Sequence, residues 1–290
     1  MSTANSRLIL GLWRIGQWNK SPAQVAALVS ACLDLGIDTF DVADIYFDYQ
    51  CESMFGAALQ TDPALKSRIK LISKCGIALV STARPAHRVK HYNTSREHIV
   101  ASAENSLACL GVEKLDLLLI HRPDPLMNAD EIANAFDQLK RAGKVEGFGV
   151  SNFLPHQFDL LQSRLEEPLR TNQIEVSLAH PDSLFDGTLD QCQRLGVAPQ
   201  AWSPLAGGAL SHQHEGTSLS RAMSRLAREL GMTREQLAIA WLLRHPARIS
   251  PVVGSGKLPH IKKLVDAQNI VLDRQLWFEL LEAALGQPIP

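Results

Sequence analysis

Short apolar runs alternate along the whole chain with longer stretches in which apolar residues recur every three or four positions. Residues 8–13 form the first strand candidate. Ser21-Pro22-Ala23-Gln24 follows as a capping box with proline at the first helical position, and it opens a helix to about Leu35 that Gly36 stops. Further strands are predicted over 38–42, 69–75, 115–120, 145–151, 171–175, 197–202 and 249–253. Between them, helices are predicted over 52–59, from a cap at Thr94-Ser95-Arg96-Glu97 to Gly111, and over 129–141, 155–165, 186–195, within 218–245, and over 260–266. A last helix, about 273–284, is extra.

Strands this short, without strict polar alternation, suit a parallel sheet covered on both faces. Eight βα units in one unbroken series predict a single (β/α)8 TIM barrel over residues 1–290 rather than a doubly wound sheet. The length would also admit two domains, but no Pro/Ser/Gly-rich linker divides the chain. Two connections are long, 77–93 and 203–217, and both follow strand C-terminal ends, the functional face of such a barrel.

Composition narrows the partner. With 46% hydrophobic and 20% charged residues the chain is ordinary globular, and a net charge of −1 gives no electrostatic footprint for nucleic acid or anionic lipid. A small molecule is expected instead. Five cysteines, Cys32, Cys51, Cys75, Cys109 and Cys192, lack CxxC spacing and read as reduced thiols. The polar N-terminus carries no signal-like apolar segment and no apolar run is long enough to span a membrane, so a cytoplasmic protein is expected.

Read in order, the polar residues at strand ends are Asp41, Asp44 and Tyr46; Lys74; His121 and Arg122; Ser151 and Asn152; Asn172, Gln173 and Glu175; Trp202 and Ser203; and Gly254-Ser255-Gly256-Lys257. A lysine closing an apolar strand needs a counter-ion, and Asp41 on the adjacent strand can supply one. A nearby ammonium is expected to lower the Tyr46 pKa and sharpen the phenol as a proton donor, while His121 can donate a hydrogen bond to a substrate oxygen or to the phenol. Asp41, Tyr46, Lys74 and His121 together read as a proton-donating, oxyanion-stabilising site with neither metal nor nucleophile.

The chain resembles the aldo-keto reductases through Phe40-Asp41-Val42-Ala43-Asp44-Ile45-Tyr46, Cys51-Glu52-Ser53-Met54-Phe55-Gly56, Ile72-Ser73-Lys74, Leu118-Leu119-Ile120-His121 and Gly149-Val150-Ser151-Asn152. Within that family it is similar to the YdhF-type bacterial oxidoreductases, through Tyr49-Gln50-Cys51-Glu52, Ser73-Lys74-Cys75-Gly76 and His121-Arg122-Pro123-Asp124-Pro125. The resemblance implies a barrel that reduces aldehydes or ketones with NADPH, NADH remaining possible. It makes Tyr46 the general acid, Lys74 its tuner, Asp41 the partner of Lys74, and His121 the group orienting the carbonyl. It places Ser151, Asn152 and Gln173 at the nicotinamide carboxamide and Trp202 against the ring. Ser203, Leu205, Gly254, Ser255, Gly256, Lys257 and His260 complete the implied cofactor site. His260 stands where many members have an arginine on the 2′-phosphate, and Leu264 replaces an asparagine; Lys257 and Lys262 could compensate. Only about seven residues precede the first strand, so the hairpin that closes the barrel bottom in relatives is expected to be short or absent.

Other readings stay beside this one. Asp41 and Lys74 can be a structural ion pair, Asp44 a turn cap or a ribose ligand, Tyr49 a packing residue, and Tyr92 a competing proton donor in the long loop. His212-Gln213-His214 lacks a third metal ligand and reads as solvent-facing. The basic run Arg84, His87, Arg88, Lys90 and His91 reads as a solvated face, with an anionic substrate as the minority reading. A cofactor-binding regulatory or scaffold protein with little turnover is the functional alternative, and the oligomeric state is open.

Overall fold

The structure, a computed structural model, describes residues 6–212 and 216–289. Ten strands occur in it: β1 Ile9–Gly11, β2 Thr39–Asp41, β3 Lys70–Cys75, β4 Ile77–Ala78, β5 His91–Tyr92, β6 Leu117–Ile120, β7 Phe148–Ser151, β8 Asn172–Glu175, β9 Gln200–Trp202 and β10 Ser250–Val253. Eight of them close a parallel barrel in the order β1-β10-β9-β8-β7-β6-β3-β2, with helices following the strands, so the predicted (β/α)8 architecture is the observed one.

Because successive strand residues face opposite sides, parity decides what lies inside the ring. Phe40, Leu71, Leu118, Phe148 and Val150 join the main core between barrel and helices. Ile9, Ile72, Leu117, Leu119 and Val252, of the other parity, form a separate small cluster inside the ring. Two residues beyond Ile72 and Leu119 on that inward parity stand Lys74 and His121. Asp41, Ser151, Gln173 and Gln200 share it on their own strands, so the upper interior is polar where the lower interior is aliphatic.

Helix Pro22–Asp34 begins with the expected capping box, in which the Ser21 hydroxyl accepts from the Gln24 amide and the Gln24 side chain accepts from the Ser21 N–H. The helix Arg96–Leu110, between the third and fourth barrel strands, differs from the sequence expectation. Its N-cap is Ser95, whose hydroxyl accepts from the His98 amide, and Thr94 instead donates to Asp124 Oδ2 at 3.0 Å. The stretch 218–245 is two helices, Ser218–Glu229 and Arg234–Leu243, because Gly231 turns at φ +65° and Thr233 starts a new capping box. The last barrel helix, Leu258–Asp266, starts two residues earlier than expected, with Pro259 in its first turn.

The long connections carry structure of their own. Residues 77–93 hold the antiparallel pair β4–β5, in which Ile77 faces Tyr92, and residues 203–217 include the 3-10 segment Ala206–Ser211. The extra helix is Arg274–Leu285, and it is clasped to the barrel by Trp277. The Trp277 and Trp241 rings stack at 5.0 Å, and each indole N–H donates to the other residue's backbone carbonyl, at 3.0 and 3.1 Å. Among the described residues no strand precedes β1; residues 1–5, and the His214 half of the histidine pair, lie outside the described residues. No helix among the described residues is long and apolar enough to cross a membrane.

Candidate active site

Lys74 is fully buried, and its three N–H donors are all engaged: Asp41 Oδ1 at 2.6 Å, the Val42 carbonyl at 2.9 Å and the Tyr46 hydroxyl at 3.1 Å. Burial alone would lower the lysine pKa, but the Asp41 carboxylate and the Tyr46 oxygen outweigh it, and Lys74 stays charged. Tyr46 departs from the sequence expectation. Burial of the phenol pushes its pKa up, and this outweighs the lowering by Lys74, with Asp41 adding to the rise. The hydroxyl therefore keeps its proton through neutral pH. Lys74 donates to the phenol oxygen, which leaves the O–H hydrogen of Tyr46 free to point elsewhere.

His121 lies edge-on to Tyr46, with ring centroids 5.6 Å apart. Burial, followed by the charges of Lys74, Arg122 and Lys90, holds its pKa well below the usual imidazole range, so it is neutral and has one N–H to donate. Its Nδ1 is buried without a hydrogen-bond partner. Of the competing tyrosines, only the Tyr49 hydroxyl is seen engaged among the described residues. Tyr49 accepts from the Leu79 amide at 2.8 Å beneath the Arg84 guanidinium, and Tyr92 pairs with Ile77 in the β4–β5 hairpin.

Beneath the site lies a second buried carboxyl pair that sequence reasoning did not connect. Glu52 accepts from the Ser73 hydroxyl at 2.6 Å, and burial raises its pKa; Asp44 is raised much further, by burial and then by Glu52. Asp44 accepts a hydrogen bond from the Ile45 amide, while its Oδ1 is buried without a partner.

On the facing side of the mouth the residues implied as carboxamide ligands form one hydrogen-bonded chain. The Trp202 indole donates to Asn152 Oδ1 at 2.9 Å, Asn152 donates to Ser151 Oγ at 2.7 Å, and Ser151 donates to the Gln173 carbonyl at 2.8 Å. The Gln173 side chain donates to Asp41 Oδ2 at 2.8 Å and to Gln200 Oε1 at 2.9 Å. The guanidinium of Arg122 lies over the Trp202 ring, 5.5 Å from its centroid. Neither Gln200 nor Arg122 was counted in the sequence-based site. A glutamine inside the apolar run 197–202 was a readable signal, since a buried amide requires partners. Leu205, half-buried, packs against both sides of the core, and Ser203 carries a left-handed backbone at φ +49°.

The other half of the implied cofactor site is a cavity of about 610 Å³, lined by Lys20, Thr233, Glu235, Gly256, Lys257, Leu258, Pro259, His260 and Lys263. The His260 Nδ1 lies 3.1 Å from Ser255 Oγ, which also accepts from the Lys257 amide. Gly254 leads into this loop, and a Cβ on Gly256 would press to 2.6 Å from the Trp18 indole, so the cradle there depends on a missing side chain. Three lysines, Lys20, Lys257 and Lys263, around one cavity at a helix N-terminus suit a phosphorylated nucleotide. Lys20 joins the set; Lys262 does not line the cavity. Among the described residues no cluster of three His, Cys, Asp or Glu side chains could hold a metal ion, and all five cysteines are free thiols.

Three comparisons bear on this arrangement. A family model described as "Aldo/keto reductase family" matches residues 7–284. The "Oxidoreductase YdhF" of Escherichia coli (strain K12) is 49% identical over 286 residues, 98% of this chain and 95% of that one. A "6-dehydroglucose reductase" of Agrobacterium fabrum is 46% identical over 285 residues, 98% of this chain and 96% of that one. Among solved structures, an aldo/keto reductase from Klebsiella pneumoniae in complex with NADP and acetate superposes with a TM-score of 0.79 at 25% identity, covering 98% and 93% of the two chains. The thermostable aldo-keto reductase Tm1743 in complex with the inhibitor epalrestat reaches 0.81 at 26% identity, covering 96% and 94%.

Proposed function

Since the chain belongs to the aldo/keto reductase family and is an oxidoreductase built on its barrel, we propose that it reduces an aldehyde or ketone to the alcohol with NADPH, the proton coming from Tyr46. One observation carries the assignment of the acid. Lys74 spends all three N–H donors on Asp41, Val42 and the Tyr46 oxygen, so the phenol proton is the one unspent donor of that cluster. His121, held neutral, contributes a hydrogen bond to the carbonyl oxygen and orients it.

The cofactor, when bound, supplies the hydride. Every other part of the work falls to this chain. Tyr46 releases its proton to the carbonyl oxygen as negative charge develops there, and the Lys74 ammonium, 3.1 Å away, stabilises the phenolate that remains. Asp41 holds Lys74 in the charged form throughout. Ser151, Asn152 and Gln173 would hold the nicotinamide amide and Trp202 its ring, with Ser203 and Leu205 beside them. Gly254, Ser255, Gly256, Lys257 and His260, with Lys20 and Lys263 across the cavity, bind the adenosine phosphate end. Two relatives are named for 6-dehydroglucose, which extends the proposal to hydroxyl-rich aldehydes.

The test is Tyr46→Phe, assayed by NADPH oxidation against aldehydes, diketones, quinones and sugar-derived aldehydes. General-acid loss should lower turnover by about 10³-fold, while quenching of tryptophan fluorescence by NADPH persists. Undiminished reduction would move the acid elsewhere, with Tyr92 as the next candidate. Tight NADPH binding with no turnover on any member of the panel by the wild-type protein would support the regulatory alternative.

A further inference from the structure

Gln173 and Gln200 face each other in register across β8 and β9, both on the inward parity of the barrel and both buried. A primary amide has two N–H donors, and Gln173 spends one on Asp41 Oδ2 and the other on Gln200 Oε1. Its acceptor oxygen is thereby turned away from Asp41. The terminal torsion of a glutamine is broad and roughly two-fold, so a single partner would not prevent the amide from flipping. A flipped Gln173 would bring its oxygen against the Asp41 carboxylate, acceptor against acceptor.

We infer that Gln200 is a positioning residue for the reaction: it locks the Gln173 amide so that an N–H stays on Asp41, and so holds the Lys74–Tyr46 pair in its proton-donating arrangement. The inference rests on Tyr46 being the acid. Its physical content is a charge balance. The Gln173 N–H takes up part of the Asp41 charge; without it Asp41 pulls harder on Lys74 and repels the developing phenolate more strongly. Both changes make Tyr46 a weaker acid. The groups facing Tyr46 are Lys74 on β3, Asp41 on β2, His121 after β6 and Cys51 on the following helix, and none of these is altered by a substitution at Gln200. A glutamine that merely filled the barrel would leave the acidity of Tyr46 untouched.

The experiment compares wild type, Gln200→Met, Gln173→Met and the double variant, with NADPH and para-nitrobenzaldehyde, across pH. Loss of one charge-assisted hydrogen bond should lower kcat about tenfold in Gln200→Met. The alkaline limb of the kcat profile should move upward, which a barrel-filling role for Gln200 would not produce. In the Gln173→Met background, Gln200→Met should change nothing further, because its route of action is gone. A wild-type kcat and profile in Gln200→Met, or losses that add in the double variant, overturns the inference. Should Gln200→Met fail to fold, amide exchange in wild-type protein with 15N in its glutamine side chains decides: both Gln173 protons, assigned with Gln173→Glu, should be protected. Rapid exchange of either overturns it. Tyr46→Phe separates the two levels of argument, since activity surviving there removes the proton donor itself, whereas its loss with Gln200→Met unaltered removes only the role of Gln200.

Discussion

Lys74→Met keeps most of the side-chain volume and removes only the ammonium. The Lys74 and Asp41 side chains are 0% and 3% exposed, so the variant strands a carboxylate in the barrel, still accepting from the Gln173 N–H. Removing one partner of a buried pair costs about 3–5 kcal/mol, most of it the uncompensated charge. The carbonyl of Val42 and the oxygen of Tyr46 also lose a donor, about 1 kcal/mol each where water does not replace it. At roughly 2 °C per kcal/mol for a domain of this size, the melting midpoint should fall by about 10–14 °C. Adding Asp41→Asn neutralises the stranded charge while preserving an acceptor for Gln173, and should restore about half of the loss. Turnover should stay down about 10³-fold in both variants, because Tyr46 has no ammonium to receive its phenolate. Thermal melts followed by circular dichroism, with NADPH oxidation measured on the same preparations, read both quantities. A double variant no more stable than Lys74→Met, or a single variant with the wild-type midpoint, would refute the reasoning.

The remaining expectations are briefer. Burial, then Lys74, Arg122 and Lys90, keeps folded His121 neutral, whereas the unfolded chain takes up a proton below about pH 6.5. The unfolded state then binds more protons, so stability falls as pH drops through that value, by up to about 1.4 kcal/mol per pH unit for each such group. His98 and His245 are lowered by burial in the same sense, so His121→Asn should flatten the acid slope only in part, and an unchanged slope in thermal melts would count against a buried neutral imidazole. Gly56→Ala should destabilise by about 3 kcal/mol or abolish folding, because a Cβ there would overlap the Cys109 carbonyl oxygen on the neighbouring helix, where only backbone can yield; soluble yield and urea midpoint test it. His260→Arg should tighten NADPH more than NADH in fluorescence titrations, and equal tightening would show that His260 does not face the 2′-phosphate.

The barrel was legible because each strand is an apolar run closed by a polar residue, and Asp41, Lys74 and His121 are those closing residues. Their parity also follows from the runs, since Lys74 stands two positions past Ile72. Details set by competition between neighbours were less readable. Thr94 and Ser95 are both good caps, and the choice fell to Ser95 because Thr94 finds Asp124, thirty residues away. The two-residue strands β4 and β5 are too short to show a period. The direction of the Tyr46 shift depends on whether burial or the Lys74 charge prevails, and that balance needs the depth of the phenol as well as its neighbour. Gln200 was passed over inside its run although its amide was the anomaly there.

The bond from Gln173 to Asp41 joins residues 132 positions apart. Asp41, Tyr46, Lys74 and His121 all come from the first four barrel strands and the segments that follow them, while the residues proposed to hold the cofactor, Lys20 excepted, come from the last four. During synthesis the ribosome therefore delivers the whole proton apparatus before most of its counterpart. A nascent chain carrying all four residues is still an inert half-ring, and Asp41 acquires its second partner only when the C-terminal strands close the circle. Competence arrives as a late, single event in the life of the polypeptide, coincident with completion of the fold.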